Sequence, residues 1–200
     1  EHKYDWRHVT LGKIASDRLG IPHREKRPHL AREFCSRSVE KQKAIVIATQ
    51  STAQAKYWNH PTGWQDLVDH YRANDYRVLH SSKEGTELKG IEQLPEALER
   101  VAEAILSAEL FIGISSGLSW FAWALGAKVV IISGFTDPYV EFEDAIYINN
   151  HQVCHGCWGN HTFDRGDWNW CPVWKGTGRQ FECTKTITAE DVINKIKDAK

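Results

Sequence analysis

Four of the five cysteines lie close together near the end of the chain: Cys154, Cys157, Cys171 and Cys183. Their spacing is C-x2-C, then 13 residues, C, then 11 residues, C. Two thiolates separated by two residues can face one ion from a tight turn. Two more from returning chain complete a tetrahedral shell suited to zinc or a single iron. The same segment holds Trp158, Trp168, Trp170 and Trp174 but few aliphatic side chains. It therefore lacks the makings of a core of its own, and a central ion would supply the cross-link. Two disulfides or four unligated thiols are the other chemistries these residues allow. Disulfides need an oxidising compartment, and no signal-peptide pattern directs these residues to one. Unligated thiols would not require the C-x2-C pair. His155 and His161 are each able to replace one sulfur as a ligand.

A second group of residues suits a nucleotide diphosphate. Lys56, in the polar loop that runs from Thr49 to Pro61, can neutralise phosphate charge, although a solvated surface lysine would look the same. Ser115-Ser116-Gly117 stands where a strand gives way to a helix. There the backbone N–H groups and the positive helix end would face a pyrophosphate, and a small-residue turn for steric reasons is the competing reading. Glu84 or Glu87 can accept hydrogen bonds from ribose hydroxyls, or simply be exposed. Thr136-Asp137-Pro138 is either the lip of that pocket or an ordinary turn at a strand end. Trp120 and Trp123 read as core or interface aromatics. His60, His70, His80 and His151 show no metal-ligand spacing with one another, and the lone Cys35 is given no role. No Ser-His-Asp order, Walker loop or G-x-G-x-x-G is present, which argues against nicotinamide and P-loop chemistry.

These groups need a scaffold, and residues 43–150 supply its pattern. Ala44-Ile45-Val46-Ile47-Ala48 is a short β-branched apolar run of the kind that forms a buried parallel strand. Trp64, Leu67, Val68 and Tyr71 fall on one helical face. Tyr76 to Leu79 reads as a second strand, with a short one near Ile91. Pro95 opens a helix whose apolar face is Leu98, Val101, Ala102, Ile105 and Leu106. Leu110–Ile114, Lys128–Ser133 and Ala145–Ile148 are further strands, and Leu118–Leu125 is a helix stopped by Gly126. Upstream, a helix around Val9, Ile14 and Leu19 ends at Gly20-Ile21-Pro22. Downstream, Thr188 and Asp191 form a capping box for a helix through Ile196.

Alternating strands and helices predict an α/β fold with a doubly wound parallel, Rossmann-like sheet. Ligands bind such sheets beyond the carboxyl ends of the strands, in the loops that carry the candidates above. The chain divides into an N-terminal helix and connecting segment (1–42), the Rossmann-like domain (43–150), the cysteine finger (151–184) and a C-terminal helix packing back on the domain (185–200).

Composition narrows the function. A formal net charge of −1 over 200 residues offers no general basic field for nucleic acid or anionic membranes. No apolar run approaches the ~18 residues of a membrane span. A cytoplasmic protein with no nucleic-acid partner and no membrane insertion is expected. The absence of methionine and the start at Glu1 lead us to expect a fragment, a processed chain or an engineered sequence, with an N-terminal partner domain missing.

Four stretches together resemble a known family: A-T-Q-S-T-A-Q-A-K-Y-W-N-H-P-T-G-W (48–64), F-I-G-I-S-S-G-L-S-W-F-A-W-A-L-G (111–126), I-S-G-F-T-D-P (132–138) and the cysteine segment. Their order resembles the C-terminal half of ADP-heptose-dependent heptosyltransferases, inverting enzymes of the two-domain GT-B fold. The cysteine segment and the S-S-G-L-S-W form are similar to the bacterial autotransporter heptosyltransferases. The resemblance implies transfer of heptose from ADP-heptose to serine hydroxyls of an autotransporter adhesin by a homo-oligomeric enzyme. It implies nucleotide-sugar contacts from Lys56, Ser115, Ser116, Gly117, Leu118 and Thr136, and Thr49 and Glu84 are further candidates for the same site. It also implies ferric iron held by Cys154, Cys157, Cys171 and Cys183, where spacing alone suggests zinc. Lipopolysaccharide heptosyltransferases usually carry Asp-Thr-Gly followed by a histidine at the second stretch. Ser115-Ser116-Gly117 and Trp120 stand there in this chain, which puts a histidine-based role in doubt. The general base is expected on the preceding domain, so no catalytic residue is assigned within these residues. A competing class is an assembly or recognition module, its metal finger binding partner subunits or the adhesin without catalysis.

Overall fold

Five apolar runs and one polar pair make a single sheet: β1 (Ala44–Ala48), β2 (Arg77–His80), β3 (Glu92–Gln93), β4 (Leu110–Ile114), β5 (Val129–Ile132) and β6 (Ile146–Ile148). The computed structural model describes residues 9–31, 34 and 39–199; Cys35 lies outside them. The strand order is β3-β2-β1-β4-β5-β6, and every pairing is parallel. All residues of β1, β4 and β5 are buried. Layers on both faces explain why these strands read as unbroken apolar runs rather than alternating ones.

The helices are α1 (Leu11–Leu19), α2 (Gly63–Ala73), α3 (Leu98–Ser107), α4 (Gly117–Ala124), α5 (Cys157–Asn160), α6 (Glu182–Lys185) and α7 (Ala189–Asp198). Alternate strand residues serve the two faces. Ile45, Ile47, Ile112, Ile114, Val130 and Ile132 pack with Leu67, Val68 and Tyr71 of α2 and with Val192 and Ile196 of α7. Val46, Phe111, Val129 and Ile131 pack with Val101, Ala102 and Ile105 of α3 and with Ala122 and Trp123 of α4. Trp58 joins the first face and donates its indole N–H to the carbonyl of Ile187 at 2.8 Å.

Thr10 and Gly20 (φ 68°) cap α1, and both halves of the Thr188–Asp191 capping box are present. One boundary departs from expectation. The helix placed at Pro95 begins instead at Leu98, which is 43 % exposed. The N–H of Leu94 donates to the carbonyl of His80 at 2.9 Å. The residue before the proline thus stays tied to β2 just past the end of β3 and outside any helix, as a following proline favours, and the apolar face of α3 starts at Val101.

β1 pairs with β2 on one side and β4 on the other. The chain winds outward from β1 to β3, then crosses to β4 and winds the other way. The loops after β1 and β4 therefore diverge and leave a crevice at the carboxyl edge. Among the described residues, no helix is long and apolar enough to cross a membrane.

Candidate nucleotide pocket and cysteine cluster

The crevice contains a cavity of about 290 Å³ whose wall includes Lys56 from the loop after β1, Ser115, Ser116 and Gly117 after β4, and Thr136 after β5. Five sequence candidates thus meet at one place. Gly117 opens α4, and a Cβ placed there would meet no atom within 4 Å, so the space before the helix start is clear. The first N–H groups of a helix have no partner within it. Ser116, at the N-cap, does not use its hydroxyl to cap them, and its Oγ is buried without a hydrogen-bond partner. Lys56 lies over the face of Phe135, Nζ 5.6 Å from the ring centroid. Burial lowers its pKa, the negative charge of Glu141 opposes that shift, and Arg165 adds to it.

The sequence reading missed four lining residues: Phe135, Val140, Glu141 and Trp158. Glu141 is 4 % exposed. Its Oε1 accepts hydrogen bonds from Ser115 Oγ at 2.5 Å and Thr136 Oγ1 at 3.0 Å. Its Oε2 makes no hydrogen bond of ordinary geometry. Burial raises its pKa; Ser115, Thr136, the Trp120 side chain and the Lys56 charge pull the other way. Nothing in Y-V-E-F-E marks the middle glutamate, because the loop after β5 folds it inward. Trp120 also belongs to this wall and is 40 % exposed, whereas Trp123 is buried in the core.

Three candidates fall outside the cavity. Thr49 is buried with Oγ1 3.0 Å from His80 Nε2, and His80 Nδ1 lies 2.8 Å from Gln93 Oε1. Its hydroxyl is therefore occupied in a chain tying β1 to β3. Glu84 is exposed in a turn where its N–H donates to Ser82 Oγ at 3.0 Å. Leu118 is partly buried and packs into the face formed with α3. A larger groove of about 710 Å³ runs beside Arg77, Glu92, Arg100 and Glu103. There Arg77 pairs with Glu92 and Arg100 with Glu103, so its two arginines already have carboxylate partners. The smaller cavity, with unsatisfied polar atoms, is the better ligand site.

Beyond the sheet, Cys154, Cys157, Cys171 and Cys183 are all free thiols. Burial raises the pKa of Cys157, and charge on Cys154, Cys183 and Cys171 raises it further. Cys183 is pushed up to about 12 by burial and then by Cys171 and Cys154. The sulfurs thus share one neighbourhood, although no three close to within 4.8 Å of one another. This donor set fits a soft cation, since a bound positive charge relieves repulsion among thiolates and lowers their pKa values. Among the described residues, the ligand trio that does lie within 4.8 Å is Asp137, His151 and His155. His60, His70 and His80 are not part of this trio, and the His151 and His155 rings are 4.3 Å apart.

The segment also has more apolar packing than expected. Trp170, Phe181, Cys157 and Cys171 are buried with Phe135 and Ala55, and Trp158, Phe163 and Trp174 pack against them. This core is borrowed in part: Phe135 comes from the loop after β5 and Ala55 from the loop after β1. Phe135 centres it, with ring distances of 5.7 Å to Trp158, 5.4 Å to Phe163 and 5.8 Å to Trp170. Gly134 supplies the closest approach, its carbonyl accepting from the Gly156 N–H at 2.9 Å.

Residues 7–169 match the family model for glycosyltransferase family 9 (heptosyltransferase). The chain is 40 % identical over 207 residues to the autotransporter heptosyltransferase Aah of Escherichia coli, covering 96 % of this chain and 52 % of that protein. It is 39 % identical over 201 residues to the autotransporter heptosyltransferase BAHTCr of Citrobacter rodentium, covering 94 % and 49 %. Its fold superposes with a TM-score of 0.86 and 37 % identity on the iron-containing dodecameric glycosyltransferase TibC from enterotoxigenic E. coli H10407, covering 97 % of this chain and 54 % of that one. A complex of TibC with ADP-D-β-D-heptose gives a TM-score of 0.87. The expected α/β fold, one half of a GT-B-type heptosyltransferase, is thus the fold found. The chain spans about half the length of the curated relatives it matches.

Proposed function

The chain belongs to glycosyltransferase family 9, the heptosyltransferases, and from that premise we propose that it is the donor-binding half of an enzyme transferring heptose from ADP-heptose to serine hydroxyls of an autotransporter adhesin. One observation carries the proposal. Lys56, Ser115, Ser116, Gly117 and Thr136, drawn from three separate loops, line a single cavity at the switch point of the sheet. The diphosphate lies against Lys56 and the start of α4. Both stabilise the negative charge that grows on the departing nucleotide, and because they are fixed in place they need little reorganisation during the reaction. The base that takes the serine proton belongs to the half of the enzyme that the relatives possess beyond this match. Calorimetry tests the reading: ADP and ADP-heptose should both bind this chain, and folded protein that binds neither at millimolar ligand would refute it.

Cys154, Cys157, Cys171 and Cys183 would hold one iron ion, as the iron-containing TibC suggests, with zinc the alternative. The ion's contribution is structural: it cross-links the segment that backs the pocket wall. Elemental analysis should find about one ion per chain by the stoichiometry of four thiolates, and a colour that bleaches on reduction would distinguish ferric iron from zinc. Free thiols and a nucleotide-sugar donor suit the cytoplasm.

A second reading concerns assembly. Trp168 and Val173 are 48 % and 45 % exposed in the cysteine segment, and exposed aromatic side chains are common interface anchors. This segment would join copies of the enzyme into a homo-oligomer or meet the adhesin. Sedimentation of a Cys154→Ser/Cys157→Ser variant of the intact enzyme should show smaller species, with ADP still bound.

A further inference from the structure

We propose that Glu141 positions the donor by accepting hydrogen bonds from its sugar hydroxyls, an inference that rests on the nucleotide-sugar reading of the cavity. Glu141 is 4 % exposed, yet only half of its carboxylate is used. Oε1 accepts from Ser115 and Thr136, while Oε2 is buried at the cavity wall with no hydrogen bond of ordinary geometry, the Trp120 side chain being the remaining polar neighbour of the carboxylate. Buried polar atoms in folded proteins are rarely left unpaired, and those that are often mark a binding role. The buried, unpartnered Oγ of Ser116 lies on the same wall. The cavity thus presents one unused acceptor and one unused hydroxyl.

Charge decides which part of a nucleotide sugar meets the acceptor. A buried carboxylate repels a phosphate and attracts a hydroxyl donor, and hydrogen bonds to a charged acceptor are the stronger kind. The diphosphate therefore lies toward Lys56 and Gly117, and a polyhydroxylated sugar lies toward Glu141. Trp120, 40 % exposed on the same wall, offers a flat apolar face for the sugar ring. The carboxylate reaches the pocket from the loop after β5, where Ser115 donates a hydrogen bond to it. Ser115 and Thr136 fix the side chain from behind, so the free oxygen is held in place before ligand arrives.

Glu141→Gln separates the two jobs of this side chain. The amide oxygen can still accept from Ser115 and Thr136, while the amide nitrogen replaces the free acceptor with a donor. Calorimetry on this chain, wild type and variant, with ADP and with ADP-heptose provides the test. Wild type should bind ADP-heptose more tightly than ADP. The variant should bind ADP as well as wild type or better, having lost a nearby negative charge, and should bind ADP-heptose ~10-fold more weakly, the effect of losing one charged hydrogen bond. Equal loss for both ligands would make Glu141 merely structural, and no change for either would remove it from the site; each outcome overturns the inference. Equal wild-type affinity for the two ligands overturns it as well, whether or not the variant folds. Failure of wild type to bind ADP at all would instead refute the nucleotide-site reading, and this inference with it.

Discussion

Replacing Gly134 by alanine should loosen the cysteine segment from the sheet. A Cβ at this buried position would lie 2.4 Å from Cys183 Cβ, 2.8 Å from its Sγ and 2.9 Å from its carbonyl carbon. Ordinary carbon contacts are ~3.5–4.0 Å, so roughly 1 Å of separation must be made. Two of the three atoms cannot rotate away, because they are fixed to the backbone of Cys183. The Gly156 N–H bound to the Gly134 carbonyl restrains the other side. Overpacking of this kind costs about 1–3 kcal/mol. For a chain of this size that lowers the melting temperature by roughly 2–12 °C. The assay is a thermal melt beside metal analysis after mild chelation, where the variant should lose its ion faster than wild type. Gly178→Ala serves as the control, since a Cβ there meets nothing within 4 Å. A Gly134→Ala protein that melts within about 1 °C of wild type and keeps its metal would refute this account of the packing.

Lys56→Ala should weaken ADP binding on the order of 10-fold or more by removing a charge-assisted contact, with little change in melting temperature. Because burial lowers the pKa of Lys56, ADP affinity should fall in the alkaline range at a lower pH than for an exposed lysine; titration calorimetry from neutral to alkaline pH reads this. His80 is 0 % exposed and its pKa is lowered by burial from 6.5, with the Gln93 hydrogen bond opposing the shift. Its neutral form favours the fold, so the stability it contributes is present above pH 6.5 and is lost as pH falls below that value. Urea melts at pH 7 and pH 5 should show the loss, and His80→Gln should show a smaller difference between the two. Thr188→Ala removes the capping box of α7 and should cost about 1 kcal/mol, read as a lower urea midpoint.

The sheet was legible because its central strands are buried on both faces, and double burial writes itself as runs such as Ala44–Ala48 and Leu110–Ile114. The phosphate-side candidates were legible for a related reason: doubly wound sheets put their ligand loops at the strand ends, so Lys56 and Ser115–Gly117 had to converge. Local signals failed where side chains turn on long-range packing. Thr49 is drawn away by His80, a contact between strands 31 positions apart in sequence. Glu141 enters the pocket only because Ser115 and Thr136 receive it. Asp137, His151 and His155 meet because the chain doubles back after β6. The aromatic core of the cysteine segment was hidden because Phe135 and Ala55 belong to distant loops.

Phe135 serves two neighbours with one ring: Lys56 of the candidate pocket lies over it, and the tryptophans beside the thiols pack against it. A shared side chain of this kind is a physical route for coupling between the two regions, and any such coupling is reciprocal. Under the proposed assignments, saturation with ADP-heptose should slow loss of the ion, and removal of the ion should weaken, without abolishing, nucleotide binding by the same factor. Loss of the ion would then register first as weaker donor binding, before any loss of fold.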